Sequence, residues 1–166
     1  MVKKIVIALA GLLVAGVISR YYFVKKEVWV GDDAEDISFI DRRNQSRNLY
    51  EFGGKYVILS FWGSWCGPCR TSNQKLVEFY SQQDTARLKI ISVGIEKTTS
   101  AWNTAIREDS LYWDEQFTPL DMFNNEIAKS YGVNETPTYF LINPAQVVIS
   151  KSGNIDAIIQ KFQAMN

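Results

Sequence analysis

The sequence feature that most constrains the fold is an apolar run that leads directly into two cysteines. Residues 56–61 (YVILSF) are typical of a buried strand, and Trp-Cys-Gly-Pro-Cys follows at positions 65–69, ahead of a helical pattern. Pro68 suits the first turn of a helix, where the missing N–H group of proline costs no hydrogen bond. The pattern therefore predicts a strand, a turn and a helix, with Cys66 at the helix N-cap or in its first turn.

This arrangement favours thiol–disulfide redox chemistry. A helix N-terminus carries partial positive charge and unpaired N–H groups, which lower the pKa of a cysteine placed there. We predict that Cys66 is the attacking thiolate and that Cys69, one turn further on, resolves the mixed disulfide. A structural disulfide across so short a loop would stabilise little. The chain has no histidine and only these two cysteines, which disfavours a zinc site and excludes a Cys-His hydrolase.

Residues 61–70 resemble the active-site segment of the thioredoxin superfamily, and most closely its membrane-tethered TlpA/ResA-type thiol-disulfide oxidoreductases. The resemblance runs from about Gly31 to the C-terminus and includes a second segment at 132–142. It implies an α/β, thioredoxin-like fold with a central mixed sheet flanked by helices, an N-terminal β-hairpin extension and a helical insertion. It also implies a cis bond between Thr136 and Pro137, with the proline against the active-site sulfurs.

Hydrophobic patterning predicts the elements of this fold individually. Strands separated by helical stretches indicate βαβ crossovers and a parallel component in the sheet. The predicted hairpin covers 37–40 and 47–50, the other strands cover 56–62, 88–95, 138–142 and 147–151, and the helices cover 70–82, 100–109, 124–131 and 155–162. Ser100 or Thr99 is the expected N-cap of the second helix, and Trp102 and Trp113 are expected to pack the insertion onto the core.

The N-terminal 25 residues are predicted to be a signal-anchor outside the fold. Lys3 and Lys4 precede an apolar run at 5–18 that residues 21–24 extend. We favour an uncleaved, single-pass anchor over a cleaved signal, with a linker at 26–36 and the thioredoxin-like domain at 37–166. Because basic residues stay cytoplasmic, the domain should face the periplasmic side of a bacterial inner membrane. The remainder of the chain is acidic, which argues against nucleic acid as a partner.

The surface around Cys66 is predicted to bind substrate. It should be flat and apolar, and it should pair with an extended peptide that presents a disulfide. Its expected members are Gly63, Trp65, Pro68, Thr136 and Pro137. The expected partners are protein disulfides and a membrane electron donor that re-reduces this protein. The protein itself is expected to be a monomer. The redox-active pair itself is the only expected cofactor, and no metal is expected.

The sequence departs from its relatives at the groups that move protons. The buried aspartate of thioredoxin is replaced by Ser60, its paired lysine by Ser92, and the glutamate of some tethered relatives by Ser72. We therefore consider two proton relays: a water held by Ser60, or the carboxylate of Glu96 at its strand end. A plain surface position is the favoured interpretation of Glu96.

Several functions remain open. The first hypothesis is a reductant of protein disulfides outside the cytoplasm, with cytochrome c maturation as a candidate pathway. The alternatives are a disulfide oxidase or isomerase, and a metallochaperone that binds a soft cation through Cys66 and Cys69. The threonine-x-x-cysteine pattern of peroxidases is absent.

Overall fold

The structure, a computed structural model, describes Gly11, Val14 and residues 27–165. Apart from those two residues, the predicted anchor lies outside the described residues. Within the described part, no helix combines the length and apolar character needed to cross a membrane.

A five-stranded mixed sheet forms the centre of the molecule, in the order β5-β4-β3-β6-β7. β3 runs parallel to β4, β4 runs parallel to β5, and β6 is antiparallel to both β3 and β7. The strands are β1 (Ser38–Ile40), β2 (Ser46–Asn48), β3 (Tyr56–Trp62), β4 (Leu88–Gly94), β5 (Gln116–Phe117), β6 (Thr138–Ile142) and β7 (Val148–Ser152). The helices are α1 (Gly67–Ser81), α2 (Thr99–Glu108), α3 (Glu126–Ser130) and α4 (Ile155–Gln163). The predicted thioredoxin-like fold is confirmed, and β1 and β2 form the predicted hairpin. Leu49 and Tyr50, predicted to end its second strand, belong instead to a 3-10 helix at Leu49–Phe52.

Alternate residues of β3 supply the two hydrophobic layers of the core. Val57, Leu59 and Phe61 belong to one buried cluster, which also contains residues of the β1–β2 hairpin. Ile58 and Trp62 belong to the other, which contains Cys66, Cys69 and residues of α1, α2 and α4. Because side chains alternate along a strand, β3 is covered on both faces and reads as a continuous apolar run. Burial of β3 thereby places the two cysteines at the end of a rigid central strand.

Helix ends differ from the sequence predictions by a few residues. α1 begins at Gly67, directly after its N-cap Cys66, as the cysteine motif predicts, and three residues before the helical pattern of apolar residues predicted at 70–82. The N-cap of α2 is Thr98, and its side chain makes no capping bond, so the predictions of Thr99 or Ser100 were wrong. Gly132 follows α3 with φ +58°, a left-handed conformation that suits glycine after a helix, as expected.

The predicted linker at 26–36 is held against the domain over much of its length. The N–H of Gly31 donates to the carbonyl of Val148 at 2.8 Å, and the N–H of Val148 donates to the carbonyl of Asp32 at 2.9 Å. Val28 and Ala34 are buried. The outer edge of β7 offers unpaired backbone groups, and this segment satisfies them.

Candidate active site

The start of α1 holds both sulfurs. Cys66 is the N-cap, and its Sγ accepts a hydrogen bond from the N–H of Cys69 at 3.2 Å. Cys66 and Cys69 form a disulfide, with their Cα atoms 5.2 Å apart. The predicted N-cap position of Cys66 is confirmed. Any thiolate formed there lies against a backbone donor and the positive end of a helix.

Cys66 is less accessible than its assigned role suggests. Only 5% of its surface is exposed, and Cys69 is fully buried. The Sγ of Cys66 lies 3.6 Å from the carbonyl oxygen of Thr136. The peptide bond between Thr136 and Pro137 is cis, as predicted. A substrate sulfur can therefore reach only a small exposed part of Cys66, which lies beside the Thr136 carbonyl.

The predicted substrate surface is only partly present. Trp65 and Pro68 are exposed, and Thr136 and Pro137 are half-buried. Gly63 is buried, so its placement on the exposed surface was wrong. A Cβ on Gly63 would lie 2.5 Å from Nε1 of Trp65, which shows that the glycine makes room for the indole. Sequence reasoning missed this role because the contact forms only when the turn folds.

Trp65 is anchored at one end and exposed at the other. Its Nε1 donates to the carbonyl of Ile95 at 2.8 Å, and its ring packs edge-on against Phe123. More than half of the residue, 53%, remains exposed. The fixed indole forms an apolar ridge beside Cys66.

Glu96 is a buried carboxylate that holds the turn between β3 and α1. It is 2% exposed, and it accepts hydrogen bonds from the N–H of Ser64 and, at 3.0 Å, from the Ser64 hydroxyl. Burial raises the pKa of Glu96, although the two bonds from Ser64 oppose that rise. The interpretation of Glu96 as a surface carboxylate was therefore wrong.

An open cavity of about 430 Å³ adjoins this turn. Trp65 and Glu96 form part of its wall, so the cavity begins beside the exposed indole. The other lining residues are Ser64, Lys97, Thr98, Ala101 and Met122. Its mostly apolar wall with one carboxylate could receive side chains that flank a substrate disulfide.

Ser60 lies on the face of the sheet that α1 covers. It is fully buried, and it pairs in register with Ser92 on β4 and Tyr139 on β6. The hydroxyl of Ser92 accepts from the indole N–H of Trp113 at 3.0 Å, whereas the Ser60 hydroxyl has no partner among the described residues. The structure thus separates the two proposed proton relays: Ser60 lies within the sheet, and Glu96 lies at the β3–α1 turn.

A family model for the AhpC/TSA family matches residues 30–158. The chain belongs to the AhpC/TSA family. This thioredoxin-like family member is 31% identical over 131 residues to the thiol-disulfide oxidoreductase ResA of Bacillus thuringiensis subsp. konkukian, a match that covers 78% of this chain and 73% of that protein.

Two solved structures agree with this assignment. The thioredoxin domain of a thiol-disulfide oxidoreductase from Bacteroides vulgatus matches with a TM-score of 0.75 and 26% identity, over 84% of this chain and 99% of that one. A thiol:disulfide interchange protein from Bacteroides sp. matches with a TM-score of 0.72 and 26% identity, over 82% and 90% of the two chains. The fold, the paired cysteines and these relatives identify this AhpC/TSA-family protein as a thiol-disulfide oxidoreductase.

Arg70, directly after the second cysteine, is a further residue of this candidate site that sequence reasoning missed. Its Nε lies 2.6 Å from a carboxylate oxygen of Asp109, and a terminal nitrogen lies 2.8 Å from Glu108. Asp109 is buried and also accepts from the amide of Asn73 at 2.8 Å. These bonds, chiefly that to Asp109, raise the pKa of Arg70. They tie the first turn of α1 to the end of α2 and balance the cation that follows the active-site cysteines.

Proposed function

We propose that the protein reduces protein disulfides outside the cytoplasm, anchored by its N-terminal segment to a bacterial inner membrane. Cys66 attacks the substrate disulfide, and Cys69 then displaces the reduced substrate, leaving Cys66 and Cys69 joined. A membrane electron donor returns the pair to the dithiol. The resemblance to tethered relatives makes cytochrome c maturation the candidate pathway.

The groups around Cys66 support the proposal that the protein reduces disulfides rather than forms them. A strongly oxidising dithiol is one whose reduced form is stabilised. Here the N–H of Cys69 favours a thiolate on Cys66, but the carbonyl oxygen of Thr136, 3.6 Å away, opposes one. Arg70, the cation next to the motif, is bound to two carboxylates and adds little net charge. The Cys66 thiolate is therefore stabilised only weakly, and a dithiol whose reduced form is not strongly stabilised is suited to be a reductant.

The exposed part of the site supports a polypeptide substrate. Trp65 presents an anchored aromatic face, and Pro68 is exposed on the adjoining turn. Thr136 and Pro137 flank Cys66 just before β6, where an extended chain can lie along the backbone. We assign contact with substrate to Trp65, Pro68, Thr136 and Pro137, and the positioning of Trp65 to Gly63.

The reduction potential tests the direction of electron flow. Equilibration of residues 27–166 with glutathione buffers should give a potential near that of thioredoxin, about −270 mV. A value near about −120 mV would identify an oxidase, and one near about −180 mV would favour an isomerase. Either result would overturn the reductant proposal.

Trapping tests the roles of the two cysteines and identifies the partner. Cys69→Ser should accumulate a mixed disulfide on Cys66, which mass spectrometry of the captured protein would identify. Cys66→Ser is the matched control and should capture nothing. Capture by Cys66→Ser alone would reverse the assigned roles, because Cys69 would then be the attacking sulfur.

A further inference from the structure

The first described residues of the chain run along the outer edge of β7. Asp33 forms an antiparallel bridge with Val147, and the N–H of Gly31 donates to the carbonyl of Val148 at 2.8 Å. Because the two segments are antiparallel, the residues before Gly31 lie beside the later part of β7. The chain therefore enters the domain near the end of β7 at Ser152.

This end of β7 lies beside the active site. A Cβ on Gly153, directly after β7, would lie 3.3 Å from the carbonyl oxygen of Pro137. Pro137 is joined by the cis bond to Thr136, whose carbonyl oxygen lies 3.6 Å from the Sγ of Cys66. The chain thus enters the domain at the same end of the sheet as Cys66.

The contact of Glu27 with Gly132 limits the distance to the sulfur. A Cβ on Gly132 would lie 2.6 Å from a carboxylate oxygen of Glu27, so the two residues are neighbours. The four steps of chain from Gly132 to Thr136 span at most about 14 Å. With the contact between Thr136 and Cys66, the carboxylate of Glu27 lies within roughly 25 Å of the Cys66 sulfur.

The connection between the domain and the predicted anchor is short. Two lysines separate the anchor, which is predicted to end at position 24, from Glu27. Val28 is already buried, and its N–H donates to the carbonyl of Ser130 at 3.1 Å. Three steps of chain span at most about 11 Å, so an anchored domain stays at the membrane surface with this end nearest to it.

Two apolar side chains project into solvent at this point. Trp29 is 57% exposed and Val30 is 56% exposed. A turn holds them in place, since the N–H of Trp29 donates to the Asp32 carboxylate at 3.0 Å and the N–H of Asp32 donates to the carbonyl of Trp29 at 3.1 Å. The ammonium of Lys151 lies 5.2 Å from the centre of a Trp29 ring. Tryptophan with a polar neighbour is enriched at membrane–water interfaces.

The charged groups near Trp29 and Val30 are of both signs. The carboxylates that line an open cavity beside them belong to Glu27, Asp32, Asp33 and Glu35. The neighbouring lysines are Lys25, Lys26, Lys129 and Lys151. Without an excess of positive charge in this set, attraction to anionic lipid would contribute little to membrane contact. Burial of the two apolar side chains would contribute most.

We propose that Trp29 and Val30 insert into the headgroup region of the bilayer that holds residues 5–24, so that the active-site end of the domain faces the membrane. The inference rests on the membrane anchoring in the proposed function. In this orientation the disulfide between Cys66 and Cys69 meets dithiols held at the membrane surface before those in bulk water. Such a dithiol gives up two electrons and two protons and becomes a disulfide, while Cys66 and Cys69 become thiols.

Tryptophan fluorescence tests the insertion. Residues 1–26 contain no tryptophan, and of the five tryptophans in the chain only Trp29 and Trp65 are exposed. The full chain should lose emission when its phosphatidylcholine vesicles are replaced by ones brominated near the headgroup, because bromine quenches indoles that it contacts. Trp29→Phe should remove most of this quenching, and Trp65→Phe is the matched control that should keep it. High salt should leave the quenching unchanged.

A kinetic comparison tests the orientation. In the full chain in vesicles, the double variant Trp29→Ser, Val30→Ser removes the apolar side chains from two exposed positions. Reduction of its Cys66–Cys69 disulfide by a dithiol attached to a lipid headgroup should slow at least about threefold, because an undocked domain also turns Cys66 away from the membrane. Reduction by dithiothreitol in water should keep its rate. Circular dichroism confirms that the variant is folded.

Four results would overturn the inference. The first is equal quenching in Trp29→Phe and the unsubstituted chain, and the second is loss of quenching at high salt. The third is an unchanged rate with the lipid-linked dithiol in the double variant. The fourth is equal slowing with both dithiols, which would place the effect in the active site itself. Removal of the N-terminal segment in cells, or failure to reduce any peptide disulfide, would instead refute the proposed function and leave the vesicle measurements on the intact chain standing.

Discussion

Replacing Gly63 by alanine should displace the indole of Trp65 and weaken the turn that carries the active site. The new Cβ would lie 2.5 Å from Nε1 and 2.7 Å from Cε2 of Trp65, and 3.1 Å from the carbonyl oxygen of Ile95. Favourable contacts between such atoms begin at about 3.5 Å, so the indole must move by roughly 1 Å. A movement of that size breaks its 2.8 Å hydrogen bond to Ile95.

Two contributions set the magnitude of this effect. Loss of the hydrogen bond costs about 1 kcal/mol, and overpacking at a well-packed position costs about 1–3 kcal/mol. Because Trp65 is half exposed and can partly swing into solvent, the lower end applies to the overpacking. We expect the free energy of unfolding to fall by about 2 kcal/mol, measured by urea denaturation of residues 27–166.

A double-mutant cycle isolates the cause. In a Trp65→Ala background the indole is gone, so Gly63→Ala should cost less than about 1 kcal/mol. Gly67→Ala is a control inside the same motif, because a Cβ there meets no atom within 4 Å. An equal loss of stability from Gly63→Ala in both backgrounds would refute the steric explanation.

Three further predictions concern Glu96, Asp109 and the N-terminal segment. Burial raises the pKa of Glu96 above its ordinary value of 4.5, so the folded state binds this proton more tightly than the unfolded state does. The stability that this proton contributes is complete below pH 4.5 and is lost as the pH rises through the pKa of the folded state. Glu96→Gln should flatten that slope in denaturation curves taken across acidic to neutral pH, and an unchanged slope would contradict the assignment. Asp109→Asn should lower the free energy of unfolding by about 2 kcal/mol, because it breaks a largely buried charged bond to Arg70. Asp156→Asn breaks the exposed pair with Lys75 and should lower it by less than about 1 kcal/mol. Equal losses in the two variants would contradict this explanation. When residues 1–166 are expressed in bacteria, the protein should stay with the membranes after alkaline extraction, and mass spectrometry should find its N-terminus intact. A protein of residues 27–166 should be released by the same extraction. Release of a product of residues 1–166 that has lost its N-terminal segment would favour a cleaved signal.

Local patterns predicted the active-site framework well. The strand before the cysteines, Cys66 at the N-cap and Pro68 in the first turn follow from nearest-neighbour chemistry, and β3 and α1 formed as expected. The cis bond at Pro137 came from the resemblance and is also present. Helix boundaries were less accurate: α2 is capped at Thr98, where the side chain makes no capping bond for a local rule to detect.

Predictions of exposure were the weakest part. Glu96 looked like a surface carboxylate because a charged residue at a strand end usually faces water, yet the β3–α1 turn folds over it. Gly63 looked like part of an open surface, yet the Trp65 indole lies on it. Cys66 is nearly closed off by a segment seventy residues later in the chain. Each error arose from a neighbour that local sequence does not reveal.

The sequence by itself determined the chemistry of this protein, because the two cysteines, the intervening Gly-Pro and the preceding apolar strand act through contacts within one turn of helix. The tertiary structure alone decided how that chemistry is tuned. Glu96 reaches Ser64 across 32 positions of sequence, and Asp109 reaches Arg70 across 39. Ser60 and Tyr139 lie opposite each other only because β3 and β6 pair. Contacts of this kind depend on the relative placement of whole strands and helices, which is set by packing the complete core.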